Sequence, residues 1–200
     1  MPTPLNILPD EQLAALDSVA DGWMRAAGGL ISAESFLSFA DPVMRAVLTS
    51  GFQGVGADEG TLWLVDDARE QLVAAFNSGP HAGELAGRFK QPLTAGILSL
   101  VFASEQPICE REVYKNQRQD SRLDRQLGML TSSMIATPFY FAGQLRGVIS
   151  CVRLKRAGST EPDPPAFSAA SIGAIELMAR VLSRLIDHRL MMIAFGRENS

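Results

Sequence analysis

Side chains able to carry chemistry are few in this chain and widely spaced. Cys109 and Cys151 are its only cysteines, enough in principle for one exchange in which a thiolate attacks and a second thiol resolves. They are too few for a disulfide framework and lack the closely paired spacing of zinc ligands, so no metal site is expected. Of the two histidines, His81 lies in the turn-rich segment SGPHAG and His188 in a helical stretch. A haem iron needs such an imidazole, but a solvated loop histidine is the plainer reading of His81. Asp66-Asp67 sits between two strand-like runs, where turn chemistry explains it better than acid–base catalysis. Residues 110–126 are denser in charge, with Glu110, Glu112, Asp120 and Asp124 among arginines. If this stretch folds over a sheet as a lid, Tyr114, Arg118 and Arg122 would offer an aromatic ring and guanidinium groups to a planar or anionic ligand. Otherwise it is a solvated, salt-bridged loop with a short helix near its end. The phosphate loop GxxxxGK[ST], the zinc motif HExxH and the nucleophile turn GxSxG are all absent from the sequence.

Composition narrows the partners. Two hundred residues with 46% hydrophobic and 20% charged content suit one globular domain with a real core. The net charge of −4 gives no basic footprint, so nucleic acid is not an expected partner. The amino terminus lacks the basic start and apolar run of a secretory signal. No apolar stretch approaches the ~20 residues that span a bilayer. No membrane partner is expected, and the chain is assigned to the cytoplasm, with the polar end GRENS read as a natural finish.

The elements that would position these residues follow from periodicity. A helix begins after Pro9 with Asp10 as its cap and ends at Gly28 and Gly29; Leu13, Leu16, Ala20, Trp23, Met24 and Ala27 form its apolar stripe. A second helical signal over residues 32–50 is interrupted by Pro42, so Asp41 is expected to cap a fresh start. Residues 61–65 and 71–76 read as a hairpin, with Leu62 and Leu64 on one face and Trp63 and Val65 on the other. Residues 85–89 read as a third strand. A helix over 96–104 is stopped by Gln106-Pro107. Residues 133–140 and 145–154 form the strongest hairpin, turning at Ala142-Gly143. Gly147 either leaves room for a ligand or reflects close packing, and packing is the preferred reading. A proline-rich linker over 157–165 leads to a last helix over 167–195.

That last helix carries two apolar stripes beside a narrow polar arc. One is Ile172, Ile175, Ala179, Leu182, Ile186, Leu190 and Ile193; the other is Ala174, Met178, Val181, Leu185, Met192 and Phe195. A sheet covers an apolar face of little more than about 100°, so the second stripe needs another surface. Trp23, Met24, Met178, Val181, Leu185 and Met192 are therefore the expected dimer contacts.

The order of segments resembles a GAF domain. GADEGTLWLVDD from Gly56 looks like the family's first strand, LTAGILSLVFASEQPI from Leu93 like its crossing helix, and SSMIATPFYFAGQLRGVISC like its final hairpin. The resemblance implies an α/β fold of the α+β type, an antiparallel sheet with terminal helices on one face and ligand-covering helices and loops on the other. Residues 1–35 would be a helical extension, 36–195 the domain and 196–200 a tail. It also implies a sensory module that binds a small molecule or a protein, without catalysis, and hands its output to a separate signalling protein. The ligand-binding candidates on this basis are Phe89, Phe102, Cys109, Tyr114, Arg118, Arg122 and Ser133. The signature of cyclic-nucleotide-binding members is missing, since Lys115-Asn116 stands in reverse order without the following Phe and Asp-Glu. PICERE around Cys109 lacks the histidine that accompanies bilin attachment, so the cofactor is unknown. A thiol enzyme reducing free methionine sulfoxide is the enzymatic alternative. A dimerising scaffold whose pocket is filled by Phe89, Phe102 and Met134 is the other.

Overall fold

The computed structural model describes residues 11–194, with side chains from residue 18 onward. The expected cap at Asp10 and the apolar positions Leu13, Leu16 and Phe195 lie outside the described residues or side chains. Helix α1 spans Glu11–Gly29. The helical signal that follows divides at Pro42: α2 (Ala33–Phe39) is capped by Ser32, and α3 (Pro42–Gly54) by Asp41, whose carboxylate accepts the Met44 amide at 2.8 Å. Proline at the first helical position lacks only an amide that would have been unpaired there.

Strands β1 (Glu59–Val65) and β2 (Gln71–Asn77) form the first hairpin. The short helix α4 (Ala82–Leu85) and strand β3 (Lys90–Pro92) follow. The strand expected over 85–89 is thus displaced: Leu85 closes α4 and is buried, and pairing with β2 begins only at Lys90. Helix α5 (Ile97–Ser104) starts at Gly96, which has φ +98°. Strand β4 (Ile108–Arg111) and a single 3-10 turn (Val113–Lys115) occupy the start of the stretch expected to be loop, and α6 (Arg122–Leu127) is the short helix expected near its end. The long hairpin β5 (Met129–Phe141) and β6 (Gln144–Arg156) turns through Ala142 and Gly143, both left-handed at φ +52° and +68°. Helix α7 (Ala169–Ala194) closes the chain.

The six strands make one sheet in the order β3-β2-β1-β6-β5-β4, every neighbouring pair antiparallel. Alternation along β1 divides two apolar layers. Leu62 and Leu64 join α2, α3 and α7, while Trp63 joins α5 and α4 on the opposite face. Two glycines permit close approach on these faces. A side chain on Gly60 would collide with the Phe52 ring, and one on Gly147 would lie 1.8 Å from the Trp63 carbonyl oxygen. Gly147 is therefore a packing glycine where β6 meets β1.

Helix α7 packs on α3 as well as on the sheet, with Met178 against Gly51. This widens its buried arc. Met178, read from sequence as a dimer contact, is 6% exposed within this subunit, and the outward position one residue earlier, Leu177, is 56% exposed. Met24 and Leu185 are partly buried against the helix-side core, and Met192 is also partly buried. Trp23 at 50% and Val181 at 39% face outward as expected.

Candidate functional site

On the sheet face away from α7, a cavity of about 70 Å³ lies between the strands and a cover made by α5, α6 and the segment before α6. Period-two alternation brings Glu59, Thr61 and Trp63 of β1 to its floor. Ser150 and Val152 stand beside them as the direct cross-strand partners of Thr61 and Glu59, and Met134 stands opposite Val152. Ile97, Leu98 and Leu123 supply apolar cover, and Gln91 of β3 closes one side.

The polar floor is largely satisfied from within. Trp63 donates its indole N–H to Ser150 Oγ at 2.9 Å. Asn77 donates to Thr61 Oγ1 at 2.9 Å and, at a longer 3.4 Å, to Glu59 Oε2, while its own oxygen accepts the Gly79 amide at 2.7 Å. Burial pushes the Glu59 carboxyl above its ordinary value; the Asn77 bond and nearby His81 oppose the shift, and Asp58 adds to it. Gly79 backs this carboxylate so closely that a Cβ there would come within 2.3 Å of it. Gly96 serves Gln91 in the same way, since its Cβ would lie 2.3 Å from the Gln91 amide nitrogen.

Asp124 fastens the cover to the floor. It accepts the Thr131 amide at 2.7 Å, the Thr131 hydroxyl at 2.8 Å and the Gln119 side-chain amide at 2.7 Å. Asp120 is held by Arg122, whose Nε and Nη2 donate to the same carboxylate oxygen at 2.9 and 2.7 Å, and that guanidinium keeps its carboxyl below the ordinary range. Arg122 also reaches the Lys90 carbonyl at 3.3 Å and lies over the Phe89 ring. Its role in the structure is to tie the cover to β3.

The residues read from sequence are dispersed around this cavity. Phe89 and Phe102 belong to the apolar layer beside it, Phe89 edge-on to Trp63 with ring centroids 6.1 Å apart. Arg118 is exposed and lines an open groove with Gly96 and Ser99, outside the closed space. Tyr114 donates its hydroxyl to Asp163 at 2.7 Å, in the linker before α7. Cys109 and Ser133 face the helix-side layer. Cys109 donates to the Phe167 carbonyl, and Ser133, opposite Arg153, is fully buried with its hydroxyl unpaired. Neither side chain reaches the cavity because the strand alternation directs both the other way.

That same alternation separates the thiols. Cys109, Ile135 and Cys151 form one cross-strand row, so the cysteines are two strand spacings apart, about 9.5 Å. A disulfide needs Cα atoms within roughly 7 Å. Burial also raises both thiols above their ordinary value, which disfavours the nucleophilic thiolate. Among the described residues, no group of three or more His, Cys, Asp or Glu side chains is placed to hold a metal ion.

Glu59, Thr61, Gln91, Thr131 and Ser150 are polar wall residues that sequence reasoning passed over, and Asp124, read from sequence as part of a charged loop or lid, is a buried member of the same wall. Glu59 had a usable signal: it lies two and four residues before Thr61 and Trp63, on the same face of one strand.

A curled antiparallel sheet with terminal helices on one side and a covered polar cavity on the other defines an α/β domain of the α+β type. A family model described as GAF domain matches residues 40–186, and the chain belongs to that family. Such domains are sensory modules of signalling proteins and are generally non-catalytic. Similar solved structures include the GAF domain of a phosphoenolpyruvate-protein phosphotransferase from Acinetobacter, 17% identical, with TM-score 0.56 and covering 94% of this chain and 99% of that one. Another is a GAF domain/HD domain protein from Geobacter sulfurreducens, 14% identical, with TM-score 0.58 and covering 74% and 92%. Residues 122 to 287 of a methyl-accepting chemotaxis protein are 19% identical, with TM-score 0.57 and coverage of 85% and 98%. No curated protein matches the chain.

Proposed function

We propose that this chain is a non-catalytic sensory domain that binds a small molecule between sheet and cover and reports occupancy through its terminal helices. The observation that carries the reading is the cavity itself, walled by buried polar side chains on the face opposite α1 and α7. The strands that floor it belong to the sheet on which α7 packs, chiefly at β5: Ser150 and Val152 of β6 face the cavity, while Ile149 and Cys151 join the helix-side layer that also contains α7 residues. The Tyr114–Asp163 bond gives a second connection, from the covering segment to the linker that leads into α7. A ligand that favours one position of the cover biases that connection by its difference in affinity between the two states. Output to a separate signalling protein would pass through a homodimer formed by the exposed face of α7 and the neighbouring part of α1.

A reducing, cytoplasmic setting is part of this proposal. It draws support from the two free thiols, and no described helix is long and apolar enough to cross a membrane.

The size of the cavity favours a second reading, a scaffold without a ligand. About 70 Å³ is under half of the roughly 150 Å³ that holds a benzene molecule, and Phe89, Phe102 and Met134 fill the layer around it. Mass spectrometry of the purified protein, native and then denatured, separates the two. The sensory reading expects a dimer that releases a small molecule on denaturation. A dimer of bare chains, unchanged by a metabolite extract, would favour the scaffold.

A further inference from the structure

The lining of the cavity contains three carboxylates, Glu59, Asp120 and Asp124, and no lysine, arginine or histidine. Two of the three are already committed. Asp124 takes three donors from Thr131 and Gln119, and Asp120 has Arg122. Glu59 differs: it is 7% exposed and receives a single long hydrogen bond, 3.4 Å from Asn77. Carboxylates this deeply buried are ordinarily paired with a cation. The nearest candidate, His81, is itself directed to Glu84 at 3.5 Å and stays substantially solvated, while Asp58 adds a like charge.

We infer that the cavity takes a small organic cation, an alkylammonium head group whose N–H donors are received by Glu59 together with the oxygen atoms of Thr61 and Gln91. This deepens the sensory reading and rests on it, because it names the ligand class for the same cavity. An ammonium supplies the positive charge that the lining lacks, and its several donors match a wall of acceptors. Trp63 and Met134 cover the alkyl portion. An anion would meet three carboxylates and no basic group, which reverses the expectation drawn from Arg118 and Arg122. Volume restricts the head group to a few heavy atoms, since the space is about half that occupied by benzene in a protein interior.

The two tryptophans make the test direct. Trp63 lines the cavity and Trp23 is half-exposed on α1, so the two indole N–H resonances of the ¹⁵N-labelled full chain, assigned with Trp23→Phe, give a reporter and a control. Ethylammonium, acetamide and acetate are titrated at matched ionic strength. Ethylammonium is expected to shift the Trp63 signal saturably and leave Trp23 in place, acetamide to bind roughly tenfold more weakly or worse, and acetate not to bind. Glu59→Gln, nearly equal in volume, is expected to weaken ethylammonium by about tenfold or more, the scale of one charged hydrogen bond. Thr61→Val is expected to weaken it several-fold and serves if the first variant does not fold. Saturation by acetate, equal binding of acetamide, or unchanged affinity in Glu59→Gln would overturn the cation while leaving the sensory reading intact. The absence of a saturable shift with ethylammonium would also overturn it, and the sensory reading then stands or falls on the mass spectrum of the purified protein.

Discussion

At the residue scale, Glu59 determines how the cavity responds to pH. Its carboxyl is raised above the ordinary 4.5, chiefly by burial, so ionising it costs more in the folded chain than in the unfolded one. That penalty is complete above the folded pKa and vanishes as pH falls below the unfolded value. Asn77 and His81 lower the Glu59 pKa, neighbouring Asp58 raises it further, and Asp120 and Asp124 face the same cavity. Glu59→Gln removes the ionisation and keeps the shape. The variant should therefore be more stable than the parent at about pH 7, and the gap should close as the pH is lowered to about 4. Urea denaturation of both proteins at the two pH values checks this, and a gap independent of pH would contradict it.

At the scale of elements, Asp124 decides whether the cover stays down. Three donors converge on one carboxylate that joins α6 to the start of β5, and hydrogen bonds to a charged group contribute about 1.5–3 kcal/mol each at most. Asp124→Ala should lower the local opening free energy of α6 by about 3 kcal/mol, a loss of roughly a hundredfold in amide protection. The strands beneath should change far less. Exchange rates measured residue by residue test this, and uniform loss across the sheet would mean that Asp124 supports the whole fold rather than the cover. The same region marks how far sequence reasoning reached. The β5–β6 hairpin was legible because its alternation is long and Ala142-Gly143 suits a turn with both residues left-handed. The Asp41 restart was legible because proline punctuates a helix in one way. β4 was not: its ICER sequence looks like part of a charged loop, and only pairing with β5 makes it a strand. β3 was misplaced because Leu85 and Phe89 are apolar for the layer they share with Trp63 and α5, while the three paired residues, Lys90, Gln91 and Pro92, carry little strand signal. The candidate site was legible only as a region. Its acceptors come from four strands and a short helix, and their convergence is a property of register, which no local spacing encodes.

At the scale of the whole molecule, the question is what covers the outer side of α7. The two-stripe reading anticipated more apolar surface than one sheet hides, but α3 covers part of the second stripe by receiving Met178 against Gly51. What remains outward is Leu177 and Val181, spaced by one helical turn, with Met191 and Ile193 further along, the last of these expected from sequence on the first stripe, and Trp23 and Val19 on α1. Large apolar side chains gathered on one exposed surface mark an interaction site more often than chance scatter does, and a two-fold dimer uses one such patch twice. The proposed homodimer should therefore depend on Leu177 and Val181 and be indifferent to cavity residues. Leu177→Glu with Val181→Glu places four carboxylates in the two-fold interface and should raise the dimer dissociation constant by about a hundredfold or more. Both positions are solvent-facing within the subunit, so the monomer should keep its thermal stability. Sedimentation equilibrium on parent and double variant decides the matter, with Glu59→Gln as a control that should remain dimeric. A parent that sediments as a monomer at high concentration would leave the cover able to move but with no second chain to read the movement.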